Sequence, residues 1–201
     1  RSGPRHAGAF HGTATAGAVG AAAAVAVAEG LEEDRLHHAL GHAATQSAGL
    51  WQLVDDGAHE AKSLHPGFAV RNGLMATAAA RAGLPAAQAF VTGPRGLYVL
   101  LAGDGPLAAL HEGLDAPARL HTATIKAWPS CAMTFTALDA LEGLRREHGL
   151  RAADVAAVDV RIFRHALKIA SVDWPTKPVE AAFSLRYLLA ALLHHGQVGI
   201  A

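Results

Sequence analysis

The segment AHEAKSLHPGFAVRNGLMATAAARAG, residues 58–83, decides how the rest of the chain is read. Between Ala58 and Gly73 it carries two histidines, a lysine and an arginine among small and apolar residues. Lys62 and His65 are three positions apart, so they share one face of any helix that contains both. Pro66 is expected to break or kink such a helix just after His65, and Gly67 leaves the backbone open to close approach. From Phe68 to Ala82 alanines dominate, which reads as a buried helix running away from the polar cluster. A cationic, titratable group at the entrance of a buried helix suits an anionic substrate. The same residues also suit a surface turn carrying solvated charges.

Outward from this segment, the texture stays helical toward the N-terminus. Thr13–Ala28 (TATAGAVGAAAAVAVA) has too little polarity for a surface helix, and its small residues imply close helix–helix packing. Glu32–Thr45 follows as a helix with acidic residues in its first turn, where the helix dipole favours them. Gln46–Val54 is expected to be a third, shorter helix ended by the Asp55-Asp56-Gly57 turn. Toward the C-terminus, Thr92–Pro117 is punctuated by glycine and proline and reads as short helices in a connection. Leu120–Ile125 is expected as a strand. Trp128-Pro129 is expected to open an amphipathic helix to His148, with Gly149 just past its end. Asp154–Phe163 alternates Val158, Val160 and Ile162 with Asp159 and Arg161, the pattern of a half-buried strand. Ala181–His194 reads as a last helix, stopped by Gly196. The expected fold is mainly α: a large all-helical domain over 1–115, then a smaller α+β domain over 118–201.

Bulk composition narrows the function classes. Of 201 residues, 51% are hydrophobic and only 17% charged, against roughly 25% charged in ordinary domains. Part of the surface is therefore expected to be covered, by a partner subunit or by further sequence; the start RSGPRHAGAF, without methionine, reads as a piece of a longer chain. The formal net charge is zero and no Lys/Arg-rich run occurs, so nucleic acid is not an expected partner. The single cysteine, Cys131, excludes an internal disulfide framework. The apolar run Ala14–Ala28 is too short for a membrane span, and a cytoplasmic location is expected, with no membrane partner.

Few motifs carry chemistry by themselves. Gly12, Gly17 and Gly20 lack the spacing and the preceding strand of a dinucleotide fingerprint, and no phosphate loop or serine nucleophile elbow is present. His38 and His42 have metal-ligand spacing but no companion glutamate of the metalloprotease kind; among 13 histidines this is read as chance proximity. His194-His195 reads as a helix C-terminal cap. Three clusters remain: His11 ahead of a buried helix, Lys62 with His65, and Lys126 just before Trp128-Pro129-Ser130-Cys131.

Four stretches together, FHGTATAGAVGAAAA at 10–24, AKSLHPGFAVRNG at 61–73, IKAWPSCAMTFTALDA at 125–140 and PVEAAFSLRYLLAALLHHG at 178–196, resemble the MmgE/PrpD family. That family includes 2-methylcitrate dehydratase, cis-aconitate decarboxylase and iminodisuccinate epimerase. The resemblance implies a homodimer, a cleft between a helical and a smaller α+β domain, and neither metal nor organic cofactor. It places His11 on the family's active-site histidine, Lys62 on the lysine before the Leu-His-x-Gly motif, and Lys126 on the lysine before an aromatic-Pro pair. His65 and Arg71 are second choices for acid/base work after His11 and, with Cys131, are expected to contact substrate. Cys131 stands where some relatives carry an active-site histidine. The family's N-terminal acidic, His-containing motif has no counterpart here.

The implied activity is that of a 2-methylcitrate dehydratase-like lyase of propionate catabolism, acting on a di- or tricarboxylate. Removing a proton beside a carboxylate builds negative charge on an anionic substrate, and fixed cations can oppose it. Lys62 and Lys126 would clamp carboxylates, and His11 would move the proton. Within the family the alternative is an epimerase of the iminodisuccinate type. Outside it, the alternative is a truncated, non-catalytic module.

Overall fold

The computed structural model describes residues 3–102, 107–110, 112, 113, 121, 123 and 125–199. Two compact units divide the chain, Arg1–Ala116 and Pro117–Ala201. The first contains helices α1 (Pro4–Ala9), α2 (Gly12–Ala28), α3 (Glu33–Ala44), α4 (Gln52–Asp55), α5 (Leu64–Arg81) and α6 (Leu97–Ala102). The second contains α7 (Phe135–His148), α8 (Arg164–Ile169), α9 (Pro178–Ala181) and α10 (Leu185–His195).

The first unit is built on a seam of small side chains. Alanine is the best helix former, and here it also sets the distance between helices. Ala18, Ala22 and Ala26 of α2 have no exposed surface. A Cβ added to Gly17 would stand 3.0 Å from the Ala69 Cβ, and one on Gly73 would fall 2.5 Å from the Ala21 Cβ and 2.7 Å from the Ala22 nitrogen. Ala22 clusters with Ala43 and Ala76, and Ala26 with Ala39 and Ala80. Residue numbers rise together along α2 and α5, so these two helices run parallel; α3 runs against both. The buried Thr77 hydroxyl is satisfied within the seam, donating to the Gly73 carbonyl at 3.0 Å.

Three expectations for this unit need correction. Pro66 does not interrupt the helix. It occupies the first turn of α5, where its missing N–H has no carbonyl to meet. The stretch Gln46–Val54 is not a helix: Leu50 forms an antiparallel bridge with Phe10, and only the single turn α4 follows. The helix from Phe68 is not buried all round either. Leu64, Phe68, Val70, Leu74 and Met75 stay about half exposed on the outer side of α5.

Leucine replaces alanine in the second unit. Leu138 and Leu141 of α7 pack against Leu188, Leu189 and Leu192 of α10, with Trp128 and Val160 at the margin. Gly149 and Gly196 close α7 and α10 in the left-handed conformation, as their positions predict. The start of α7 differs from expectation: Ala132–Thr134 forms a 3-10 turn and the α-helix begins only at Phe135. The helix expected over Ala181–His194 is broken at Ser184. That buried hydroxyl caps α10 by accepting from the Tyr187 N–H at 3.2 Å, and donates to the Asp173 carbonyl at 3.0 Å.

No distinct α+β domain appears among the described residues. Their β pairing is limited to two isolated bridges, Phe10–Leu50 and Ser171–Ser184. Asp154–Phe163 is irregular after a 3-10 turn at Ala152–Asp154. Alternation shows which side of a segment is apolar, but a strand also needs a neighbour to complete its ladder. The strand expected at Leu120–Ile125 rests on Leu120, Thr122 and Thr124, which lie outside the described residues.

Candidate active site

His11 is the residue just before α2, and His65 sits in the first turn of α5. Because these helices run parallel and close, the two histidines meet at their common N-terminal end. The Nδ1 atoms are 2.9 Å apart, across 54 positions of sequence. The rings are tilted by 39° with centroids 5.2 Å apart. His65 is buried and His11 half-buried.

The chain around Gly49 holds His11 in place. The His11 N–H donates to the Gly49 carbonyl at 2.8 Å, and the Trp51 N–H donates to the Ala9 carbonyl at 2.9 Å. The Trp51 ring then lies against His11, centroids 4.8 Å apart. Gly49 has φ of +102°, and a Cβ there would fall 2.3 Å from the Ala14 Cβ and 3.6 Å from His65 Cε1. No side chain fits, so the glycine is a condition of the site. Behind it, buried His6 bonds the Thr15 hydroxyl through Nε2 at 2.9 Å and stacks on Phe10.

The electrostatics favour an anion. Burial holds the His11 pKa down to about 4, assisted by the Lys62 ammonium and by His65. His65 is lowered too, by burial and then by Lys62. Near pH 7 both rings are therefore neutral, and one Nδ1–H donates to the other Nδ1 lone pair. Lys62 lies in the 3-10 turn His59–Ser63 that leads into α5. The positive ends of two long helices add to its charge. An arriving carboxylate would offset these cations and raise the basicity of His11.

Lys62, His65 and His11 are thus brought together. Arg71 is not: its guanidinium lies over Phe68 at 5.0 Å and donates to the Asn72 side chain at 3.0 Å. In the second unit, exposed Lys126 folds back to donate to the Ser130 carbonyl at 2.9 Å, beside Cys131. The Cys131 thiol is half-buried and free, and its N–H donates to the Ala182 carbonyl at 2.9 Å.

Sequence reasoning missed Gly49, Trp51 and His6, none of which lies in a stretch with local signal. The α3 histidines, His38 and His42 of the pair read as chance proximity among them, make backbone contacts. His42 donates to the Leu84 carbonyl at 3.0 Å, His38 accepts from the Ala86 N–H at 3.0 Å, and His37 bonds the Gln88 carbonyl at 3.0 Å. They clamp the segment after α5. Among the described residues no group of three or more His, Cys, Asp or Glu could hold a metal ion, and no helix is long and apolar enough to cross a membrane.

Comparison with curated proteins gives no match. The MmgE/PrpD N-terminal domain model matches residues 1–109, and the MmgE/PrpD C-terminal domain model matches residues 128–201. A histidine pair framed by FHGTATAG and AKSLHPG thus sits in the first matched domain, and the Lys126–Ala127 end of the IKAWPSC stretch leads into the second. The chain belongs to the MmgE/PrpD family, which includes dehydratase-type enzymes.

Proposed function

We propose that this chain carries a cofactor-independent lyase site for a di- or tricarboxylate, of the 2-methylcitrate dehydratase kind. The observation that supports this reading is the neutral His11–His65 pair beside Lys62, at the N-terminal end of α2 and α5. His11 moves the proton next to a carboxylate. Lys62 opposes the charge that then develops. A base with a pKa of about 4 is weak. Substrate carboxylates correct this by cancelling the nearby positive charge, so proton transfer is switched on by the ligand it serves.

The test is NMR in deuterated water with a panel of citrate-type, tartrate-type and aspartate-type acids. Loss of water, with deuterium entering unreacted substrate beside a carboxylate as the proton step reverses, is the expected result. His11→Gln should abolish it. Lys62→Ala should lower turnover about 10²–10³-fold, as loss of one preorganised donor does. Deuterium exchange with inversion and no loss of water would replace the lyase by an epimerase. Neither exchange nor binding with any acid would leave a non-catalytic module.

A further inference from the structure

We propose that His65 is the positioning and relay partner of His11: the Nδ1–Nδ1 hydrogen bond fixes the His11 tautomer, leaving Nε2 to face the reacting proton. At 2.9 Å the two Nδ1 atoms share one proton, so one ring donates and the other accepts. A base at His11 Nε2 needs that nitrogen bare. His11 must then carry its proton on Nδ1 and donate to His65 Nδ1, which leaves the His65 proton on Nε2. Free imidazole has no such constraint; here the second ring imposes it.

The relay follows with atoms balanced, and it rests on the lyase reading above. The substrate C–H bond breaks, its electron pair stays on carbon, and the proton bonds to His11 Nε2. The Nδ1 proton of His11 then shifts to His65 Nδ1, so the positive charge resides on His65. When the carbon–oxygen bond breaks, the pair on carbon becomes the new carbon–carbon double bond, and the Nε2 proton leaves with the departing hydroxide as water. The Nδ1 proton returns to His11 and both rings are neutral again. No oxidant or reductant is needed. Lys62, close to both rings, disfavours charge left on His65 and so drives the return.

The arrangement is fixed rather than adaptive. His65 is 8% exposed, and its backbone is in the first turn of α5. Trp51 covers the His11 ring from another side. A ring free to turn would not hold one tautomer.

The experiment is long-range proton–nitrogen NMR on protein labelled with ¹⁵N-histidine, without substrate. The expected pattern is a protonated Nδ1 and bare Nε2 on His11, and the reverse on His65. His65→Ala should let His11 shift its proton largely to Nε2. His65→Asn, whose side-chain carbonyl can still accept from His11 Nδ1, should restore the parent pattern. A bare Nδ1 on His11 in the parent, or no change in His65→Ala, overturns the proposal without any variant needing to be active. Turnover supplies a second readout: kcat falling about 10²-fold in His65→Ala with KM little changed, and partly recovered in His65→Asn. The parent tautomers found as expected but no turnover on any acid would overturn the lyase reading and support the pairing.

Discussion

The two units solve the problem of packing helices with opposite materials. In the first, α2, α3 and α5 meet through Gly17, Ala22, Ala43, Gly73, Ala76 and Ala80, and the backbones themselves are in contact. In the second, α7 and α10 meet through five leucines whose side chains fill the gap. A leucine core can relax by changing rotamers. A glycine–alanine seam has no rotamers to change, so a small insertion moves whole helices. The difference shows why the histidine pair belongs to the first unit. Only a contact set by backbone distance holds two ring nitrogens at 2.9 Å from chain positions so far apart.

The largest expected effect is in the leucine core. Leu138 is fully buried, and Leu138→Ala should cost about 2–5 kcal/mol through lost transfer energy and a residual cavity. Urea unfolding followed by fluorescence distinguishes the units, because Trp51 reports the first while Trp128 and Trp174 report the second. The change should appear at Trp128 and leave the Trp51 transition in place.

Gly73→Ala is the reciprocal cut. Its methyl would fall on the Ala21 Cβ and the Ala22 backbone, and overpacking of this kind costs about 1–3 kcal/mol. The shift should appear at Trp51, together with loss of the His11–His65 correlation in NMR. If Gly73→Ala were silent there while Leu138→Ala disturbed both reporters, the contrast between the two cores would be wrong.

Acid should also act on one unit first. Unfolded His11 takes its proton near pH 6.5, whereas folded His11 waits until about 4. Between those values the unfolded chain binds more protons, so stability falls as pH drops from about 6.5 to about 4 and is flat above. A depression of that size corresponds to about 3 kcal/mol in a dry site. Solvent contact at the half-buried ring reduces this to about 1–2 kcal/mol. His65 shifts in the same direction and adds to it. His11→Gln should remove most of the slope in Trp51-detected melts, and an unchanged slope would contradict the assignment.

The smallest effect concerns the other histidines. His42→Ala removes one bond to the Leu84 carbonyl, worth about 0.5–1.5 kcal/mol. It should loosen the segment after α5, seen as faster amide exchange, and leave the His11–His65 signals unchanged.

Local features were legible in the sequence, and features that depend on a distant partner were not. Gly149 and Gly196 announce helix ends because left-handed backbone is a property of the residue itself. The alternation in Asp154–Phe163 is equally local, yet it names no neighbouring strand. Pro66 was misjudged because its cost depends on where the helix begins, and α5 begins only two residues earlier. Ser184 went unseen as a cap inside an apolar run, since its second partner, the Asp173 carbonyl, comes from a separate segment. At the site, His11, Lys62 and His65 carry a family pattern. Gly49 and Trp51 matter only because the chain returns to lie beside Ala9–His11.

Parallel neighbours such as α2 and α5 also constrain the order in which the molecule forms. A short turn can join antiparallel helices, but two parallel ones need a chain that travels back the full length, here α3 and the segment to Ser63. His11 and His65 can meet only after that loop has closed, and loop closure precedes any reward from the contacts it permits. A chain with α2 and α3 folded but α5 undocked would hold His11 without its neighbour His65. The His11–His65 contact therefore forms only once α5 has docked, and it is lost when α5 comes away.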